Sequence, residues 1–451
     1  MGNRIASSNL ASSAMIILGI ETSCDETALS IIDIQESAGG EKKVKILANQ
    51  VLSQIELHKQ YGGVFPMMAK REHSRNIVPL LKIVLTEAGL LKTSEKQYPY
   101  KLEFVRVLLE REPEMLSKFL EFIPTIEKPS IDLIAVTAGP GLEPALWVGI
   151  NFAKALSVAW DIPVVPTNHM EGHVLIALLQ SDEENHKSQE TITKQITNNK
   201  SRILNENPTH YTLYPIPFPA LALLISGGHT ELVLMKKESE YEVVGRTRDD
   251  AIGEAFDKVA RILGLPYPGG PEISALAEIA RMNTTKETDK HESIHVNPFS
   301  NPRTSVVLPR PMLHSDNLDF SFSGLKTAVL YLVKKLPTPL DEGTKMEIAR
   351  EFEDAATEVV VEKVRKAVET YGVQTLILGG GVVANKNIRT AFETLSKELD
   401  ITLKLPAINH ATDNALMIAL AGYLNKDKAL TEITSLFEIK ADGNLSLCRN
   451  N

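Results

Sequence analysis

An apolar run over residues 15–20 ends in Gly19-Ile-Glu-Thr-Ser-Cys-Asp-Glu-Thr27 and resumes over residues 28–34, which predicts two strands joined by a polar, acidic turn. From 66 to 90 the apolar positions recur at helical spacing. Residues 131–137 read as a buried strand running into Ala-Gly-Pro-Gly141, and a helix is expected over 145–160. A short strand at Val164-Val165 and a helix starting near His169 continue an alternation typical of an α/β protein with substantially parallel pairing. A second cycle opens with a strand over 220–225, a hairpin turn at Ser226-Gly-Gly-His-Thr230 and strands over 231–235 and 241–247. Helices over 253–263, 271–282, 324–335 and 346–370 follow, then a strand over 375–378, the run Gly379-Gly-Gly381, and a closing strand and helix. Two α/β halves of this kind predict a bilobal molecule with a ligand cleft between the lobes.

Residues 1–14 read as a disordered extension, with Met15 as the natural start. The first lobe is expected over 15–170 with an insertion around 95–130, and the second over 171–451 with a mobile loop around 181–215. Residues 181–208 are dense in Glu, Lys, Asn, Gln and Thr and lack periodicity. The earlier insertion differs: Leu102, Val105, Leu108, Leu109, Met115, Leu116, Phe119 and Leu120 fall at helical intervals broken near Pro113, so it is expected to pack on its own lobe.

Composition narrows the classes. With 451 residues, 43% hydrophobic and 23% charged, the chain is a folded globular protein of two or three compact units. Cys24 and Cys448 cannot form a disulfide framework or a thiolate zinc site. No apolar run approaches the roughly 20 residues of a membrane span, and a cytoplasmic location is expected. A net charge of -9 gives no global attraction for nucleic acid, so such a role needs a local basic patch, for which Lys70, Arg71 and Arg75 are candidates.

His169-Met-Glu-Gly-His173 places two imidazoles one helical turn apart on one face, where both can reach one ion; Glu171 points elsewhere. Two surface or capping histidines are the alternative. A third ligand is available in Asp413, whose other role would be to cap the last helix, as Thr412 would also do. Two imidazoles and a carboxylate suit iron or zinc. Ser226-Gly-Gly-His229, Gly379-Gly-Gly381 and Tyr267-Pro-Gly-Gly-Pro271 bare backbone N–H groups to a phosphate or base. Asp257 is either a ribose acceptor or a solvated helix residue, and Asn385 has amide groups suited to a base or sugar. There is no G-x4-G-K-[ST] loop and no G-x-S-x-G elbow. Met170 stands where a zinc peptidase of the H-E-x-x-H type needs glutamate.

These motifs, together with His58 and Tyr61-Gly-Gly-Val64, Thr137-Ala-Gly-Pro-Gly-Leu142, Gly253-Glu-Ala-Phe-Asp-Lys258, Leu318-Asp-Phe-Ser-Phe-Ser-Gly-Leu-Lys326 and Thr412-Asp-Asn414, resemble the bacterial TsaD proteins, in order, from about Met15 to Tyr423. The resemblance implies an actin-like, sugar-kinase-like fold of two ribonuclease-H-like lobes. It implies a metal-dependent acyltransferase that moves a threonylcarbamoyl group from L-threonylcarbamoyladenylate to the exocyclic amine of the adenosine 3′ of the anticodon, in tRNAs reading A-starting codons, with release of AMP. By motif, the metal ligands are His169, His173 and Asp413, for one divalent ion per subunit, Fe2+ first and Zn2+ as the alternative. The donor site comprises Leu224, Ile225, Ser226, Gly227, Gly228, Asp257, Gly270 and Asn385. Asp25 and Glu26 are the catalytic candidates, for proton transfer or as support behind the metal ligands. Implied partners are tRNA, a paralogous pseudo-enzyme (TsaB-like) and a small ATPase (TsaE-like), with no membrane. Asn168 replaces a common histidine, and Ser274 a common acidic residue, with Glu272 near it. Rival readings are a small-molecule kinase or ATPase of the same fold and an inactive tRNA-binding scaffold.

Overall fold

The computed structural model describes residues 14–37, 40–94, 102–181, 210–288 and 306–448. The expected extension, apart from Ala14, and most of the expected loop at 181–215 lie outside them. The first sheet has the order β5-β4-β1-β2-β3-β7-β6, built from β1 (Ala14–Glu21), β2 (Glu26–Glu36), β3 (Lys42–Ser53), β4 (Leu133–Gly139), β5 (Val164–Asn168), β6 (Leu179–Ser181) and β7 (His210–Leu213). The second has the order β10-β9-β8-β11-β12, from β8 (Ala220–Ile225), β9 (Thr230–Lys237), β10 (Glu240–Arg246), β11 (Thr375–Gly379) and β12 (Thr402–Lys404).

Both sheets repeat one plan. Three consecutive strands pair antiparallel, β1-β2-β3 and β8-β9-β10; the first of each trio then pairs parallel with a later strand, β4 or β11, which pairs parallel with the next. This duplicated order is the ribonuclease-H-like plan, and the protein is a bilobal α/β fold of the actin-like kind. The pairing is mixed rather than substantially parallel, because the hairpin turns at 22–25 and 226–229 reverse the chain before any crossover helix forms. β3 was not signalled by the sequence, since its apolar positions are interleaved with Lys42, Lys43 and Lys45.

β1 and β4 are buried on both faces. Helices Pro66–Glu87 and Glu143–Trp160 cover one side, with Leu81, Val84, Phe152 and Leu156 in that core. The other side is covered by His169–Leu178 and Ala415–Leu424, whose core also takes Ala220, Leu224 and Ile377 from the second sheet. These two helices therefore form a layer between the sheets. Ala415–Leu424 is apolar all round, as a helix sandwiched on every side must be. Gly19 lets it lie on β1: a Cβ there would overlap the Ala415 carbonyl oxygen.

The chain returns to the first sheet at its end. Leu430 bridges to Val164, and Leu436 and Ile439 join the first core. With β6 and β7 also in the first sheet, we propose drawing the lobes by sheet rather than at residue 170. The insertion forms helices Leu102–Leu108 and Pro113–Phe122, and its Val105, Leu109, Met115 and Phe119 are buried in the first core, as expected. Among the described residues, no helix is long and apolar enough to cross a membrane.

Candidate functional site

Helix His169–Leu178 starts where β5 ends. The Asn168 side chain caps it, accepting from the Met170 amide at 2.8 Å and the Glu171 amide at 3.3 Å. The capped first turn sets His169 and His173 side by side, with ring centroids 4.7 Å apart. Helix Ala415–Leu424 is capped by Asn414, which accepts from the Met417 amide at 3.1 Å. Neither Thr412 nor Asp413 is the cap. The Asp413 carboxylate is thereby free to turn toward the imidazoles, with Oδ1 3.2 Å from His173 Nε2 and 3.5 Å from His169 Nε2. One ligand atom from each of the three lies within 4.8 Å of the others.

Behind His169 stands Glu21, fully buried at the end of β1. Its Oε2 accepts from His169 Nδ1 at 3.0 Å and from Thr137 Oγ1 at 2.7 Å, while Oε1 accepts from the Ser23 amide. Burial alone would raise the Glu21 and Asp413 carboxyls; the His169 charge and hydrogen bond outweigh it and hold both below their usual range. Burial likewise opposes charge on His169, and Asp413 and Glu21 overcome it, raising its pKa. The cluster thus attracts positive charge between its Nε2 atoms. His173 Nδ1 is buried without a hydrogen-bond partner, so that ring is held through Nε2. Two nitrogens and an oxygen, converging and biased toward a cation, fit a divalent iron or zinc ion. Glu171 points away, accepting from Tyr241 Oη at 3.0 Å and Asn425 Nδ2 at 2.8 Å.

The acidic turn lies alongside. Asp25 is buried, and Glu26 accepts from Ser53 Oγ at 3.3 Å; burial first, then Asp25, push the Glu26 carboxyl well above its usual range. His73 ties this turn to helix Pro66–Glu87, donating from Nε2 to the Cys24 carbonyl at 3.0 Å while Thr27 Oγ1 donates to Nδ1 at 2.7 Å. Burial first, then the Asp25 charge, raise the Tyr267 hydroxyl above its usual range.

The second lobe's loops enclose a cavity of about 870 Å³ whose walls include Gly227, Asp257, Tyr267, Gly270, Ser274 and Asn385. A Cβ on Gly253 would sit 2.6 Å from the Ser226 carbonyl oxygen, so glycine is needed for helix Ile252–Ile262 to approach the 226–229 turn. Asp257 accepts from the Gly269 amide at 2.7 Å and pins that loop, and burial raises its carboxyl; it is no solvated helix residue. Asn385 caps helix Lys386–Glu398 through the Ile388 amide at 3.0 Å and donates to Ser274 Oγ at 2.8 Å and Glu353 Oε1 at 2.6 Å. Of the expected donor-site residues, Gly227, Asp257, Gly270 and Asn385 line the cavity. Leu224 and Ile225 are fully buried in β8, and Ser226 accepts from the Gly228 and His229 amides at 3.3 and 3.1 Å, shaping the turn.

Two acids were not singled out in the sequence, Glu353 because it lies outside the motifs and Glu21 although it lies within the Gly19–Thr27 motif. Glu353 in helix Glu342–Tyr371 lines the cavity, 2.6 Å from Arg281, and Glu21 backs His169 in a place considered for Asp25 or Glu26. The candidate basic patch is neutralised: Lys70 pairs with Glu112 at 2.8 Å, Arg71 with Glu72 at 3.5 Å, and Arg75 with Glu72 and Glu114 at 3.3 and 3.5 Å.

A family profile described as TsaD, tRNA N6-adenosine threonylcarbamoyltransferase, matches residues 45–94, 109–188 and 205–420. The chain is 39% identical over 411 residues to the protein of that name from Paraburkholderia xenovorans, covering 91% of this chain and 92% of the relative. The protein of the same name from Chromobacterium violaceum is 38% identical over 412 residues, covering 90% and 92%. Among solved structures, component A of (R)-2-hydroxyglutaryl-CoA dehydratase from Acidaminococcus fermentans aligns with a TM-score of 0.41 and 13% identity, covering 92% of this chain and 99% of that one.

Proposed function

The chain belongs to the TsaD family of tRNA N6-adenosine threonylcarbamoyltransferases, and from that premise we propose how its residues perform the transfer. The activity is that of a tRNA threonylcarbamoyltransferase. The donor is L-threonylcarbamoyladenylate, the acceptor the N6 amine of the adenosine 3′ of the anticodon in tRNAs reading A-starting codons, and the leaving group AMP. One observation carries this reading: His169, His173 and Asp413 converge on one point in a chain whose glycine-rich loops line a cavity of about 870 Å³ with Gly227, Asp257, Gly270 and Asn385.

His169, His173 and Asp413 would hold a divalent ion, iron first and zinc as the alternative, and when bound it would supply Lewis-acid polarisation and orientation of the donor. Gly227 and Gly270 leave the cavity wall without side chains, so the nucleotide packs against backbone. Asp257 and Asn385 line the cavity and fix its walls through the Gly269 amide and through Ser274 and Glu353, and the remaining lone pairs of their oxygens are the acceptors left for ribose and base. The adenosine amine is a weak nucleophile, so holding it in line with the carbamoyl carbon supplies much of the acceleration. In this reading Asp25, buried beside Glu26, takes the amine proton as the bond forms. The TsaB-like subunit and TsaE-like ATPase complete the assembly, and a cytoplasmic location suits a tRNA substrate.

The test mixes metal-loaded protein, donor labelled in its threonyl group and unmodified tRNA reading an A-starting codon, with and without the partners. Label should enter the tRNA and be lost with His169→Ala. No label from the wild type with partners present would refute the reading.

A further inference from the structure

We propose that Glu21 is a positioning residue that fixes the tautomer of the neutral His169 ring, holding the proton on Nδ1 so that Nε2 is the nitrogen left for the ion. The inference builds on the metal reading above. Three groups reach the Glu21 carboxylate: the Ser23 amide at Oε1, and Thr137 Oγ1 and His169 Nδ1 at Oε2. Each has a hydrogen to donate. The Ser23 amide can only donate, so the site is built for an acceptor on both oxygens. With His169 Nδ1 3.0 Å from Oε2 and donating to it, the remaining nitrogen, Nε2, is the one that faces Asp413 at 3.5 Å. A carboxylate on the far nitrogen of a ligating histidine orients the ring and makes it more basic.

Burial makes this assignment selective. Glu21 has no exposed surface and His169 is 6% exposed, so no bulk water stands in for the carboxylate; the Ser23 hydroxyl also lies 3.3 Å from Nδ1 but can donate or accept, so it is the carboxylate, which can only accept, that selects the tautomer. Asp25 and Glu26, the acids a motif reading puts forward, belong to the next turn of chain, and Glu26 bonds Ser53 rather than His169. The Thr137 hydroxyl, from the end of β4, fixes the carboxylate plane.

The geometry makes glutamine a sharp probe. Glu21→Gln keeps the shape but must point an NH2 at one partner. At the Ser23 amide two N–H groups would oppose each other. The NH2 therefore turns to His169, which can answer only with an unprotonated Nδ1; its proton then moves to Nε2, the wrong atom for an ion.

Three readouts test this in the full chain. Nitrogen NMR of histidine-labelled, metal-free protein, followed up in pH until the His169 ring is neutral and with its signal identified by its loss in His169→Ala, should find the remaining proton on Nδ1 and none on Nε2 in the wild type, and the reverse in Glu21→Gln. Cobalt(II) titration followed by visible absorbance should show affinity reduced roughly 10- to 100-fold by Glu21→Gln. The same change should cost nothing further in a His169→Ala background, because the effect travels through that ring. An unprotonated Nδ1 in the wild type overturns the proposal without any variant, as does wild-type cobalt affinity in Glu21→Gln. Absence of cobalt binding by the wild type, with Nδ1 protonated, would instead refute the metal reading and leave the tautomer assignment supported.

Discussion

His73 joins local chemistry to stability. It is fully buried, donates to the Cys24 carbonyl and accepts from Thr27, and burial lowers its pKa from 6.5 to about 4. The unfolded chain takes up a proton as pH falls through about 6.5, while the folded chain resists until about 4, so stability present above 6.5 is lost across that window. The limit for this one group is about 3 kcal/mol. Urea midpoints should fall between pH 7 and 4.5, and His73→Gln, although less stable at pH 7, should show a shallower fall; an unchanged slope would assign the acid sensitivity elsewhere. His73 was legible in the sequence only as part of a basic run, because its partners Cys24 and Thr27 lie more than 40 positions away. His169 and His173 were readable because helical spacing itself places them together, and Asp413 because it precedes a recognisable helix. Glu21 stood within the Gly19–Thr27 motif, yet its role was unmarked: a glutamate ending a strand reads like any other until Thr137 and His169 are brought to it.

Helix Ala415–Leu424 shows what an element adds. Its uniform apolar face was visible in the sequence, yet its place between two sheets was not, since periodicity reports that a helix is covered and not by what. The contact that seats it is Gly19 on β1 against the Ala415 backbone. Gly19→Ala forces that backbone to move, at a cost of about 1–3 kcal/mol. Ala415 lies two residues beyond Asp413, so the displacement reaches the ligand. We expect a lower urea midpoint and weaker cobalt binding together in Gly19→Ala. A stability loss with wild-type cobalt affinity would mean that Asp413 is held by Asn414 and the 408–412 segment alone. β3 escaped the sequence reading for a related reason: its lysines mark a sheet interrupted by solvent, which looks like a loop until β2 pairs with it.

At the scale of the whole molecule, two cycles of strands and helices announced two lobes, and the duplicated sheet order bears this out. The return of residues 430–445 to the first sheet was invisible, because its links run largely through backbone atoms: Lys154 Nζ donates to the Ile439 carbonyl at 2.8 Å and Asn168 Nδ2 to the Leu445 carbonyl at 3.2 Å. Charge has the same character. A molecule of net charge -9 must bind tRNA through a local surface, and Lys70, Arg71 and Arg75 are engaged with acids on the insertion and on their own helix. Lys70→Ala strips the partner from Glu112, which is 4% exposed, and leaves a buried carboxylate unpaired at a cost of about 1–3 kcal/mol. The expected outcome is a protein with a lower unfolding midpoint and tRNA affinity within about twofold of wild type, since a lysine already neutralised releases little counterion on binding. Affinity itself should fall steeply with added salt in both proteins, because phosphate contacts made elsewhere carry it. A tRNA affinity reduced tenfold by Lys70→Ala, with a shallower salt dependence, would return this cluster to the nucleic-acid surface and show that tRNA outcompetes Glu112 for it.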